Sequence, residues 1–331
     1  MPTTAQGLGH YDQMLTNVSV AYTQSEASFI APKVFPVVPV AKASDIYWKY
    51  PKGNFFRDDV QRRPMGGRPV VTNFGATTDK YICEEDALSV AIDDRERANQ
   101  TNPMSVERSK VRLLTQQMLI HRDRVWAADF WGTGKWGVDV AGVNSGPTGD
   151  QAIKFNLSTS DPKAVIDAYQ QRLLRTTGMK GNVLVLGSDA GIALENNPSI
   201  IDRIKYGNSN SEPTQVTDSM LAQLFKVDRV VRAEGVFNSA QEGVTESMGF
   251  IVDPKSILLA YAAPEPALEV PSAGYCFAWT GLLGQQAFSN VTAVSRWRDE
   301  PARSDYFSVS MAWDAKIVAP DLGVFFSGIV D

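Results

Sequence analysis

Histidine and cysteine, the side chains that most often supply bases, nucleophiles and borderline metal ligands, occur two apiece in 331 residues: His10, His121, Cys83 and Cys276. A tetrahedral zinc site draws its ligands from close spacings such as Cys-x-x-Cys, and these four residues stand isolated. Cys83 and Cys276 could pair as a disulfide, but two buried free thiols acting as small hydrophobes are the plainer reading. A Ser-His-Asp triad would have to recruit His10 or His121, where nothing prepares the imidazole. Gly187-Ser188-Asp189-Ala190-Gly191 places its serine second, so it is no nucleophile elbow. Trp131-Gly132-Thr133-Gly134-Lys135-Trp136-Gly137 fails as a phosphate loop, because Lys135 precedes Trp and the stretch follows a helix.

Carboxylates are the remaining chemical group in quantity. Glu84, Glu85, Asp86, Asp93, Asp94 and Glu96 stand near Arg95 and Arg97. A pair such as Asp93-Asp94 could hold a divalent cation or serve as acid and base. Neighbours on a strand point to opposite faces, however, so the pair does not easily converge. A solvated or inter-subunit charged face is the simpler account. No residue emerges as catalytic, cofactor-binding or metal-ligating, and the sequence reads as a non-enzyme.

The elements that would carry such groups follow from pattern. Apolar residues make up 44% and charged residues 21%, an ordinary globular balance, and the net charge of −5 excludes a basic nucleic-acid-coating protein. The length suggests roughly two domains at ~150 residues each. No Lys or Arg precedes Lys33 and no apolar core follows the start, so no signal peptide is visible. The uncharged stretch 270–295 is broken by Pro271, Gly274, Gly281 and Gly284, which suits burial by another chain or domain better than a membrane span.

Residues 1–45 end in Ala31-Pro32-Lys33-Val34-Phe35-Pro36-Val37-Val38-Pro39-Val40, whose prolines predict extended backbone and preclude a helix. Residues 46–82 predict a long hairpin, with strands at Ile46–Tyr50 and Val70–Phe74 around a charged tip holding Arg57, Arg62, Arg63 and Arg68. So long a connection marks function or mobility. Asn102-Pro103 caps a helix predicted to run to about Trp131, with Val111, Leu114, Met118 and Val125 on one face. It carries Arg108, Lys110, Arg112, Arg122 and Arg124 against Glu107, Asp123 and Asp129, a pattern open to nucleic acid or to plain solvation. Residues 142–149 read as loop. Helices follow at Asp161–Gly178, from Gly187 to about Gly207, and at Thr217–Lys226. Strands are predicted at 182–186, at 229–232 and on either side of Asp253-Pro254. The alternation of Phe307, Val309, Met311 and Trp313 with Tyr306, Ser308, Ser310 and Ala312 predicts a C-terminal strand able to return to the long helix.

Extended arm, long hairpin, acidic strand, spine helix, α/β region and returning strands, in that order, resemble the major capsid proteins of tailed double-stranded DNA phages, the Hong Kong 97-type fold. The resemblance rests on the 31–40 arm, on Tyr81–Asn99 with its Ala87-Leu88-Ser89-Val90-Ala91-Ile92-Asp93-Asp94-Arg95-Glu96 core, on Asn196-Asn197-Pro198-Ser199-Ile200-Ile201-Asp202-Arg203-Ile204, and on the closing strand 308–316. It implies an α+β chain with an N-terminal arm (1–44), an extended loop (45–80), a peripheral domain (81–155 and 293–331) with a spine helix at about 103–131, and an axial domain (156–292). It further implies self-assembly into hexamers and pentamers forming an icosahedral shell around double-stranded DNA touched non-specifically. A separate scaffolding protein, a portal and a decoration protein are the implied partners, with no cofactor and no membrane. The implied location is the virion capsid, assembled in the host cytoplasm. Arg57, Arg62, Arg63 and Arg68 are expected to meet Glu84, Glu85 and Asp86 of adjacent subunits. Some relatives crosslink a loop lysine to an asparagine; Lys49 and Lys52 are the loop lysines here, and no partner Asn or catalytic Glu is legible. The same fold in a cargo-enclosing encapsulin is the nearer alternative, and a two-domain α/β enzyme or ligand-binding protein the farther.

Overall fold

A computed structural model describes residues 24–73, 75–99, 103–207, 216–266, 270–283 and 292–331. The arm before Gln24, His10, Phe74 and the Asn102 cap lie outside them, as does part of the uncharged stretch. In chain order the strands are β1 (Val37–Val40), β2 (Ser44–Lys49), β3 (Thr77–Ile82), β4 (Glu84–Asp93), β5 (Val138–Val143), β6 (Gln151–Ile153), β7 (Val183–Gly187), β8 (Arg229–Ala233), β9 (Val236–Asn238), β10 (Met248–Phe250), β11 (Ile257–Ala260), β12 (Gly274–Trp279), β13 (Thr292–Asp299), β14 (Ser304–Ile317) and β15 (Gly323–Ser327).

The spine helix is Pro103–Phe130, 28 residues with no internal Gly or Pro, or about 42 Å at 1.5 Å per residue. Leu114 and Met118 are buried with Phe307, Val309 and Met311 of β14, and Val111 and Val125 pack at the margin. Towards its C-terminus the buried stripe passes to Trp126 and Phe130, which meet Phe35 at ring-centroid distances of 6.3 and 4.7 Å. The Trp136 indole N–H donates to the Phe130 carbonyl at 2.8 Å, and Lys135 Nζ donates to the Ala128 carbonyl. Both satisfy carbonyls that a helix end leaves without partners.

β14 organises the sheet above this helix. Its residues 304–313 pair antiparallel with β4, 304–311 with β13, and 313–317 with β12. β12 in turn takes β1 of the arm in parallel register. The period-two alternation thus sends Phe307, Val309 and Met311 to the helix, as a half-buried strand requires.

A second sheet, in the order β6-β5-β15-β11-β7-β8, has its central strands β15, β11 and β7 buried on both faces. Leu184, Leu186, Ile257, Leu259, Val324 and Phe326 face the core shared with helices Pro162–Thr177, Ser188–Asn196, Pro198–Gly207 and Asp218–Phe225. Val183, Val185, Leu258, Ala260 and Phe325 join the core of the spine helix. The Pro162–Thr177 helix begins where the Asp161 carboxylate accepts from the Ala164 N–H at 3.2 Å. It ends at Gly178, whose φ of +74° is the left-handed cap favoured by glycine.

Four predictions need correcting. The arm is not wholly extended: Ala31–Val34 forms one helical turn with Pro32 in it, tolerated because a first turn has no use for the proline's missing N–H. The return strand of the hairpin starts at Thr77, not Val70, since Val70 and Val71 have strand propensity but no strand opposite them. The loop read at 142–149 starts later, because Gly142 and Val143 close β5, which pairs in parallel with β15. A Cβ at Gly142 would stand 2.0 Å from the Gly328 carbonyl oxygen, so only glycine permits that approach. Finally, residues 272–278 of the uncharged stretch are buried by the chain's own β1 and β14, not by a neighbour.

Candidate inter-subunit surface

The loop is rooted before it is free. β2 and β3 pair from Ser44–Ile82 to Lys49–Thr77, and Tyr81 stacks on Phe277 of β12 at 4.7 Å, with Tyr47 5.5 Å from the same ring. Asp79 accepts from Lys49 at 2.6 Å and from the Tyr47 hydroxyl at 3.2 Å. The Lys49 ammonium holds the Asp79 carboxyl below its ordinary range. Asp314 accepts the Ile82 N–H at 2.8 Å. Beyond this root comes one helical turn, Lys52–Phe55, whose Lys52 forms an ion pair with Asp321, while the Phe56 ring lies against Gly178. The loop lysines 49 and 52 are therefore both occupied by aspartates.

The tip itself has little of its own chain to lie on. Val60 is 90% exposed, Val71 89% and Met65 fully so. Exposed apolar side chains gathered on one segment mark an interaction surface. Arg57, Arg62, Arg63 and Arg68 are exposed beside them, and Arg63 Nε donates to the Gly67 carbonyl at 2.5 Å within the tip. Among the described residues none of the four forms an ion pair.

Glu84, Glu85 and Asp86 open β4 opposite Trp313, Ala312 and Met311. The strand's period of two puts Glu84 and Asp86 on one face and Glu85 on the other. Asp86 lies 3.3 Å from His121 Nε2 on the spine helix. The tip arginines and these carboxylates do not meet within one chain, so the structure brings neither set to the other.

The Asp93-Asp94 pair diverges: Asp93 accepts from the Arg95 N–H at 2.7 Å, and Asp94 takes a two-pronged hold on Arg298, 2.7 Å at each contact. Asp305, buried at the start of β14, gathers Arg97 at 2.6 Å and Arg296 at 3.0 Å, and its carboxyl is held low chiefly by Arg97. Cys83 and Cys276 are free buried thiols, and burial pushes Cys83 up to about 12. Sequence reading finds no G-x-G-x-x-G, and that needs correcting: Gly132, Gly134 and Gly137 carry the spacing. The segment leaves a helix instead of joining a strand to one, and Trp136 and Lys135 turn back onto that helix. Among the described residues no cluster of His, Cys, Asp and Glu could hold a metal ion.

Sequence reading missed one functional group. Asp123, buried on the spine helix, accepts the Ile30 N–H at 2.9 Å and the Ala31 N–H at 2.8 Å, pinning the arm. Burial raises its carboxyl to about 6, against the lowering effect of those two bonds. Arg229 adds a 2.9 Å bond to the Val34 carbonyl, and Gln24 exchanges bonds of 2.6 and 3.0 Å with the Val236 backbone. The available signal was spacing: Asp123 lies three residues before Trp126 and seven before Phe130, so a carboxylate sits on the apolar stripe.

No protein-family model matches the chain. A major capsid protein of Burkholderia phage BcepMu is 26% identical over 258 residues, 76% of each chain. Among solved structures, a phage-related protein from Bordetella bronchiseptica RB50 superposes with a TM-score of 0.68 at 22% identity, covering 92% of this chain and 94% of that one. The capsid of cyanophage P-SCSP1u gives 0.58 at 9% identity, with 94% and 91% covered. The SrpI encapsulin of Synechococcus elongatus PCC 7942 gives 0.52 at 13%, with 97% and 95% covered. Likeness in sequence and in fold converge: the chain is similar in sequence to a phage major capsid protein and has the fold of phage capsid and encapsulin shell proteins, the Hong Kong 97-type fold.

Proposed function

We propose that the chain is a structural shell tile of a virion capsid. Copies assemble into hexamers and pentamers that close an icosahedral shell around packaged double-stranded DNA, with scaffolding, portal and decoration proteins as partners in the host cytoplasm. The observation that carries this reading is the loop: a rooted ribbon whose tip holds apolar side chains and arginines in solvent. Such a segment is costly for a monomer and is covered when subunits ring together. The proposed division keeps the arm (1–44), loop (45–80), peripheral (81–155 and 293–331) and axial (156–292) regions; β5, β6 and β15 share a sheet with β7, β8 and β11, and β12 one with β14.

Arg57, Arg62, Arg63 and Arg68 form the basic half of the proposed contact, and Glu84, Glu85 and Asp86 of an adjacent copy the acidic half. Charge reversal at Arg62 and Arg63 is expected to abolish particles in sizing chromatography while the unfolding midpoint stays at the wild-type value. Normal shells from that variant would refute the contact. The encapsulin likeness favours one second reading, a protein-filled compartment. Nuclease-treated particles from producing cells separate the two: protected double-stranded DNA supports the capsid, an enclosed enzyme the compartment.

A further inference from the structure

The charged groups around the spine helix divide by direction. Four acidic groups around it are taken up within the chain, Asp94 on Arg298 at 2.7 Å, Glu96 on Lys110 at 2.6 Å, Glu107 on Arg97 at 2.8 Å and Asp123 on the arm backbone, while Asp129 near its C-terminus is exposed. Arg122 is buried over the Trp313 ring. Arg108, Arg112 and Arg124 are left exposed, and among the described residues none has a carboxylate within ion-pair distance. Arg124 rests its guanidinium over Phe237, 4.8 Å from the ring centre. In a chain of net charge −5, Arg108 and Arg112 on their shared face make a local positive surface with no carboxylate paired to it among the described residues.

We propose that the spine-helix surface carrying Arg108 and Arg112 meets the phosphate backbone of double-stranded DNA. The inference rests on the capsid reading above and assigns the DNA contact to one surface. Arg108 and Arg112 are four residues apart, about 6 Å along the helix and on one face, whereas Arg124 stands about 120° around it from Arg112. Guanidinium forks suit phosphate oxygens, and contacts to the backbone alone carry no base sequence. The loop tip is built differently: its arginines stand beside Asp58, Asp59 and exposed Val60 and Met65, a mixture suited to a protein surface and not to a polyanion.

The test is anisotropy of a short labelled duplex of mixed sequence with the full chain, over a salt series. The slope of log affinity against log salt is expected to fall by about 0.9 for each arginine removed, on the order of eightfold in affinity per arginine at about 0.1 M salt. The clean variant is Arg108→Gln with Arg112→Gln, since Arg124 also packs on Phe237; an unchanged thermal midpoint establishes that it folds. Arg62→Gln with Arg63→Gln is expected to leave the slope unaltered. An unchanged slope in the spine variant, an equal loss in the loop variant, or polyglutamate competing as well as DNA would each overturn the proposal, the last pointing to an acidic protein partner. Shell formation is scored on the same preparations: spine-variant shells with wild-type DNA affinity remove this surface and leave the capsid reading, whereas a wild type without shells removes the capsid reading alone.

Discussion

The β14 sheet on its spine helix and the loop tip at 50–76 are opposite solutions to the same composition. In the first, apolar side chains interlock, and Asp305, Asp94, Glu96 and Glu107 each hold a named cation. In the second, apolar and charged side chains alike face water, with contacts mainly inside the tip or at its first turn. The difference teaches that the body folds on its own contacts while the tip leaves apolar and charged groups in solvent. On the proposed function, stability and assembly are then carried by separate parts of the chain.

The largest effect that could break this comparison is in the aromatic core. Phe130→Ala removes a fully buried ring that touches Phe35, Trp126 and Trp136, and a loss of about 3–5 kcal/mol is expected by urea unfolding. Met65→Ala at the tip should fall within about 0.5 kcal/mol. Equal losses would erase the distinction between the regions.

Next comes the arm. The Asp123 carboxyl titrates near 3.8 when exposed and at about 6 in the fold. Between those values the folded state holds a proton that the unfolded chain has released, so this group's contribution falls as pH rises from about 4 to above 6. The wild type should therefore lose stability relative to Asp123→Asn across that window, by up to about 3 kcal/mol, and run parallel to it above about pH 7. Hydrogen exchange at Ile30 and Ala31 in the same series would show whether the loss is local to the arm. A difference that does not change with pH would mean the carboxylate is not buried against the arm as described.

The smallest effect sharpens the boundary between root and tip. Lys52 and Asp321 are both about half exposed, and an ion pair of that kind contributes about 0–1 kcal/mol. Lys52→Ala should leave the thermal midpoint nearly unmoved while raising protease cleavage within 53–73. Unchanged cleavage would place the anchor in Phe56 against Gly178 instead.

Much of this was legible in the sequence, for physical reasons that differ by element. The spine helix announced itself through Pro103, the Leu114–Met118 spacing and the absence of Gly or Pro over its length. Gly178 marked a helix end because few other residues accept a positive φ. The alternation at 306–313 gave β14 and its buried face. What local pattern could not supply was partnership: β1 with β12 and β5 with β15 are parallel pairings between segments more than 180 residues apart. Asp123 was hidden for the same reason, since its partners are backbone N–H groups over ninety residues upstream. The tip arginines and Glu84 and Glu85 of β4 are exposed, and the strand's alternation separates Glu85 from Glu84 and Asp86.

Negative-stain microscopy of the purified full-length chain tests the central claim most directly. The account predicts closed, uniform icosahedral particles built from this protein. A chain that stays monomeric at high concentration and binds a small molecule would contradict it.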